Sequence, residues 1–132
     1  MTSVLFDTCI LIDILRGKGE AVDCFDRHAD DTANDPDGLL AVSAITVHEL
    51  HQGMRPKEKA RTEGLIGAFP VLRFGEDTAR VSGALGQRYL KSHRRDAPDL
   101  IVAATAINSG SELITCNLKH FPMFPDLKLP YP

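Results

Sequence analysis

The chain reads as an α/β protein with a mainly parallel sheet covered by helices on both faces. Short apolar runs of strand length alternate with longer segments of helical pattern, an order that builds parallel sheets sandwiched between helices. The apolar runs are Val4-Leu5-Phe6, Leu39-Leu40-Ala41-Val42, Val71-Leu72-Arg73-Phe74 and Glu112 to Cys116. Polar residues that can do chemistry stand at their ends: Asp7 closes the first run, and Asn117 follows Leu113-Ile114-Thr115-Cys116. In open α/β sheets the functional crevice lies outside the carboxyl ends of the strands.

Each element follows from local signals. After the Val4 to Phe6 strand, Thr8 to Leu15 predicts a helix ended near Gly17, and a polar helix spans Glu20 to His28. Asn34-Asp35-Pro36-Asp37-Gly38 is turn chemistry, and Leu39 to Val42 is the second buried strand. Helices then run roughly over Ala44 to Met54 and Pro56 to Ala68, punctuated by Pro56 and Pro70. Val71 to Phe74 is the third strand. Glu76 to Ser92 is helical, with Val81, Ala84, Leu85 and Tyr89 on one stripe. Asp99 to Ser109 forms the next helix, with Gly110 placed as its C-terminal cap. Glu112 to Cys116 is the fourth strand, and Leu127-Lys128-Leu129 offers a short fifth.

At 132 residues the chain is read as one domain, residues 1–132, long enough to bury roughly two thirds of its unfolded surface. A composition of 43% hydrophobic and 25% charged residues is that of an ordinary globular protein. No basic leader precedes the first apolar run, and the longest uncharged stretch, Leu100 to Ser111, falls far short of the ~20 apolar residues of a membrane span. No membrane partner is expected. Cys9, Cys24 and Cys116 have no metal-type spacing, and an odd number argues against a disulfide framework. The expectation is a reduced, cytoplasmic protein.

The net charge of -3 gives no general attraction to nucleic acid. Its distribution says more. Acids crowd Glu20 to Asp37, whereas basic residues gather in Arg55 to Arg61 and again in Arg88 to Arg95, the latter leading into Asp99. A solvated helix face explains either basic run.

Three acids stand out, each with a structural rival. Asp7 is a favoured N-cap for the helix that follows it. Thr46-Val47-His48-Glu49 fits a capping box, although Ser43 is an equally good cap that would free Glu49 for a pocket. Asp96-Ala97-Pro98-Asp99 has the acid cap, first-turn proline and first-turn carboxylate of a helix start. The helix from Asp99 is rich in alanine, which permits close approach to the sheet and would hold Asp99 over the strand ends. An ionised carboxylate at a buried strand end is costly unless paired or bound to metal, and three converging carboxylates repel unless a hard cation collects them.

Taken in order, Leu5-Phe6-Asp7-Thr8, Ile45-Thr46-Val47-His48-Glu49-Leu50, Pro98-Asp99 before Ala103-Ala104-Thr105-Ala106, and Thr115-Cys116-Asn117-Leu118-Lys119-His120-Phe121 closely resemble the PIN-domain family. Within it the match is to the toxin ribonucleases of bacterial toxin–antitoxin pairs, the VapC type. The resemblance runs from Val4 to Phe121. It implies a three-layer α/β/α sandwich with a mainly parallel central sheet. It also implies a Mg²⁺- or Mn²⁺-dependent endoribonuclease, usually a homodimer, inhibited by a cognate antitoxin protein. Asp7, Glu49 and Asp99 match the family's three acidic metal-site positions. The fourth, often Asp, is Asn117 here, a neutral donor that weakens the case for two metals, with Asp96 as a compensating ligand. Cys9 is expected to be a buried or half-buried thiol without catalytic work.

The chemistry suits that assignment, because magnesium binds through one or two carboxylates and retains waters. Asp7 and Asp99 are the direct ligands expected, and Glu49 ligates the ion, binds its water or assists deprotonation. Thr8 and Thr115 orient carboxylates or water, and Lys91, Arg94 and Arg95 supply phosphate contacts on the RNA. Other classes fit less well. The helical zinc motif needs a second His at position 52, which is Gln52. An aspartyl-phosphate enzyme resembling Asp-x-Asp would need an acid where Cys9 stands. A catalytically degenerate PIN fold that binds nucleic acid or a partner is the non-enzymatic alternative.

Overall fold

The computed structural model describes residues 3–93 and 97–132. Four strands, β1 (Ser3–Phe6), β2 (Leu39–Ser43), β3 (Val71–Leu72) and β4 (Glu112–Ile114), form one sheet in the order β3-β2-β1-β4. Every neighbouring pair is parallel. The helices are α1 (Thr8–Leu15), α2 (Gly19–Ala33), α3 (Ala44–Gly53), α4 (Lys59–Ile66), α5 (Glu76–His93) and α6 (Ala97–Ser109). Single 3₁₀ turns occupy Pro56–Glu58 and Leu118–His120.

β1 lies between β2 and β4, so both its faces are covered and all of Val4, Leu5 and Phe6 are buried. Val4 and Phe6 point into a core with Ile10 and Leu11 of α1, Cys24 of α2, Leu50 of α3 and Ile66 of α4. Leu5 points the opposite way, against Val102, Ala103 and Ala106 of α6. The period of two thus sorts one strand into two cores. Removal of Leu5 from water contributes roughly 1.5–3 kcal/mol.

The alanines of α6 bring that helix onto the sheet, and α5 packs outside it. A Cβ at Gly86 would sit 3.4 Å from Leu100 Cδ1, so α5 and α6 approach closely there. Of the α5 stripe, Val81, Leu85 and Tyr89 are half-buried, while Ala84 faces solvent. Gly110, at φ 63°, ends α6 as expected. Ser111 N–H donates to Ala106 O at 2.9 Å and Gly110 N–H to Ile107 O at 3.2 Å, the paired bonds of a Schellman cap.

Several boundaries differ from the sequence expectation, for identifiable reasons. Leu127–Leu129 is not a strand. Pro125 and Pro130 bracket it, and the preceding chain closes turns through Phe124 N–H to Phe121 O. β3 stops at Leu72 because its partner β2 ends at Ser43, where α3 begins. β4 stops at Ile114 because β1 ends at Phe6. α2 begins at Gly19 and continues past His28 to Ala33, just before the Asn34-Asp35-Pro36 stop signal. No helix among the described residues is long and apolar enough to cross a membrane, and Cys9, Cys24 and Cys116 are free thiols.

Candidate active site

At the carboxyl edge of the sheet, Asp7, Glu49, Asp99 and Asn117 line one open cleft of about 250 Å³, together with Thr8, Cys9 and His120. Four separate segments deliver them. Asp7 follows central β1, and its N–H still continues the ladder to Ile114 O at 2.9 Å. Glu49 comes from α3, Asp99 from the first turn of α6, and Asn117 from the turn after β4.

Asp7 takes the capping role and also lines the cleft. It is the N-cap of α1, its Oδ1 accepting from Thr8 N–H at 2.8 Å. Its Oδ2 accepts from Thr115 Oγ1 at 2.8 Å. Asp7 is only 5% exposed, and burial pushes its pKa above the usual aspartate range despite the hydrogen bonds from Thr115, Thr8 and Cys9 and the nearby His120. Oδ2 also accepts from Cys9 Sγ at 3.8 Å, whereas Oδ1 has the single donor Thr8 N–H and keeps a lone pair for a further ligand.

Glu49 is released from capping duty. Ser43 is the N-cap of α3, its Oγ accepting from Ile45 N–H at 3.2 Å. Thr46 therefore lies inside the helix, fully buried, with its hydroxyl 3.0 Å from Thr8 Oγ1. Thr8 Oγ1 also donates to Glu49 Oε1 at 2.6 Å. Thr8 thus ties the Glu49 carboxylate to the N-terminus of α1. Thr46 was not foreseen as part of the site. Its signal was the choice of Ser43 over Thr46 as cap, which the sequence left open.

Asp99 is half-buried, and His120 Nδ1 lies 3.3 Å from its Oδ2. His120 was also missed. It stands three residues beyond Asn117 on the 3₁₀ turn, one turn's spacing that returns it to the same rim. Asn117 is exposed at that rim, and its N–H donates to Thr115 Oγ1 at 3.0 Å. Thr115 accordingly links the Asp7 carboxylate to the backbone that carries Asn117. Cys9 is half-buried, its Sγ accepting from Cys116 N–H at 3.2 Å. Burial and the Asp7 charge push its thiol up, so it stays protonated and non-nucleophilic. The expectations for Arg94, Arg95 and Asp96, and for the Lys91 side chain, lie outside the described residues.

The donor set suits a hard divalent cation in kind, since Asp7, Glu49, Asp99 and Asn117 all offer oxygen. A cation would also relieve the desolvated Asp7 carboxylate. Among the described residues, however, no three His, Cys, Asp or Glu side chains are close enough together to form a ligand set as they stand. Magnesium does not need one, because it keeps several waters and takes one or two carboxylates. Two larger depressions, of about 280 and 670 Å³, contain neither Asp7 nor Asp99, although the smaller of them shares Ile12 and Glu49 with this cleft.

Comparison with known proteins places this geometry. The sequence profile of the PIN domain matches residues 4–123. Ribonuclease VapC19 of Mycobacterium tuberculosis is 41% identical over 128 residues, covering 96% of this chain and 98% of the relative. Ribonuclease VapC10 of the same organism is 37% identical over 129 residues, covering 97% and 92%. Among solved structures, a toxin-antitoxin complex from Klebsiella pneumoniae superposes with a TM-score of 0.76 at 33% identity, covering 97% of this chain and 98% of that one. DNA-bound VapBC from Salmonella typhimurium superposes with a TM-score of 0.78 over 98% and 97%, a likeness of fold at 23% identity. The described chain, with its parallel four-stranded sheet flanked by six helices, belongs to the PIN-domain family and groups there with VapC relatives.

Proposed function

We propose that this protein is a metal-dependent endoribonuclease and the toxin of a toxin–antitoxin pair. The observation that carries the reading is that Asp7, Glu49 and Asp99, from three separate elements, line one cleft in which Asp7 is desolvated. Kinship with proteins named as ribonucleases gives the substrate class.

In this reading Asp7 and Asp99 bind Mg²⁺, with Mn²⁺ as the alternative, and Asn117 contributes a neutral oxygen. Such an ion, when bound, would supply Lewis acidity to a water and would offset charge on the scissile phosphate. Glu49, steered by Thr8, takes the proton of the water that adds to phosphorus as the ester oxygen departs. Thr115 keeps the Asp7 carboxylate oriented. A cognate antitoxin protein and a second copy of the chain are the protein partners. Little of the apolar surface of α1 and α4 is left for a second copy. Leu11 is core, and Ile12, Ile14, Leu15 and Leu65 are half-buried against it.

The degenerate-fold reading gains some support from Asn117 and from the open spacing of the acids. Cleavage separates the two. Pure protein incubated with varied RNAs and Mg²⁺ or Mn²⁺ should cut them, and EDTA should abolish cutting. RNA binding without cleavage in either metal would favour the degenerate fold, and equal cleavage with chelator present would refute metal dependence.

A further inference from the structure

Beside the acid cleft, between α1, α3 and α4, lies a second depression of about 280 Å³. Resting on the ribonuclease reading, we propose that it is a nucleotide subsite, holding the RNA residue that flanks the scissile phosphate. The two depressions adjoin, because Ile12 and Glu49 line both.

Its walls have the two chemistries a nucleotide needs. Ile12, Leu15 and Met54 are half-buried and offer an apolar floor for a base. Arg16 and Arg61 stand exposed at the border, and neither has an ion-pair partner among the described residues. A planar guanidinium can bind phosphate in bidentate fashion or stack on a base. The two carboxylates at this border are already engaged. Glu49 accepts from Thr8, and Glu58 Oε1 accepts from Arg55 N–H at 2.7 Å.

Size and charge favour this occupant. Small-ligand pockets start at about 300 Å³, whereas one turn of a helix with its side chains fills roughly 400 Å³. A depression of about 280 Å³ is nearer the scale of one nucleotide than of a docked helix. A protein of net charge -3 whose cleft is lined with acids also needs cations nearby to hold a polyanion.

The test is the salt dependence of RNA binding. Fluorescein-labelled, mixed-sequence single-stranded RNA is titrated in EDTA, with Asp7→Asn as the parent so that cleavage is suppressed. Wild-type cleavage in Mn²⁺ tests the ribonuclease reading, and the effect of Arg16→Ala with Arg61→Ala on parent binding tests the subsite. The double change should weaken binding by roughly tenfold to hundredfold. It should also flatten the plot of log affinity against log salt by about 1.4, two phosphate contacts at roughly 0.7 each. Arg27→Ala with Lys128→Ala removes the same charge from the depression beside β4 and should leave the slope near the parent's. Equal slopes for the parent and the Arg16/Arg61 variant, or equal losses in both double variants, would overturn the subsite. So would an unchanged slope combined with loss of the complex with a protein from the adjacent open reading frame, which would give the depression to that protein. Absence of any RNA binding by the parent would overturn the subsite, and absence of wild-type cleavage in Mn²⁺ would overturn the ribonuclease reading.

Discussion

Replacing Asp7 by Asn should leave the metal-free protein as stable as the wild type, or more stable, while Asp7→Ala should destabilise it. Asn keeps an oxygen for Thr8 N–H and is as good an N-cap as Asp. Its amide faces Thr115, whose hydroxyl can turn to accept. What Asn removes is the desolvated charge, against a loss of about 0.3–1 kcal/mol of favourable interaction with the α1 dipole. Alanine removes the charge as well, but it forfeits about 1 kcal/mol of capping and strands the buried Thr115 hydroxyl at a further cost of about 1–3 kcal/mol. Asn and Ala variants should therefore differ by roughly 2–4 kcal/mol, or about 8–16 °C in Tm for a chain of this size. The pH dependence has a definite sign. With its pKa raised by burial, folded Asp7 binds a proton more readily than unfolded Asp7. Wild-type stability relative to the Asp7→Asn protein falls as pH rises from the ordinary aspartate range through the raised folded value, and is level above it. Thermal melts by circular dichroism in EDTA, from pH 3 to pH 8, would read this. An Asn variant as unstable as the Ala variant at neutral pH would show that the charge itself stabilises α1, and the desolvation argument would fail.

Other substitutions probe the surrounding groups. Thr115→Val removes the donor to Asp7 Oδ2 and should raise the Asp7 pKa further, moving the acid limb of the pH–rate profile to higher pH; an unmoved limb would mean that Thr115 does not tune Asp7. Asn117→Asp adds a hard anionic oxygen at the rim and should tighten Mn²⁺ binding in calorimetric titration; unchanged affinity and stoichiometry would place Asn117 outside the ion's reach. Thr8→Val frees Glu49 from its tether and should lower kcat more than it raises KM, whereas an effect on KM alone would assign Thr8 to substrate binding.

The alternation of elements was legible because parallel strands buried on both faces leave unmistakable apolar runs. Strand lengths were not, since β3 and β4 end where their partners do rather than where their own apolar residues stop. Leu127–Leu129 has strand-like residues, yet the prolines around it favour turns. Asp7, Glu49 and Asp99 could be listed from order alone, but their convergence depends on the sheet order, which no local pattern encodes. His120 and Thr46 escaped for a related reason. The first joins the cleft through a 3₁₀ turn, and the second reaches Thr8 behind it through the preference for Ser43 as cap. Whether the acids stand close enough to share an ion is set by side-chain rotamers, which sequence does not specify.

The proposed reaction is hydrolysis of RNA at the acid cleft with the help of a divalent ion. Asp99→Asn tests it most directly, because it preserves shape, lies outside the strand ladder and alters only a half-buried charge. Single-turnover cleavage of a labelled RNA should be measured for wild type and variant side by side in Mn²⁺, with circular dichroism confirming the fold. A direct ligand should matter more than an outer-shell group, so the rate should drop by at least about 100-fold, to the level that wild type shows in EDTA. Wild-type rates in a folded Asp99→Asn protein would contradict the claim.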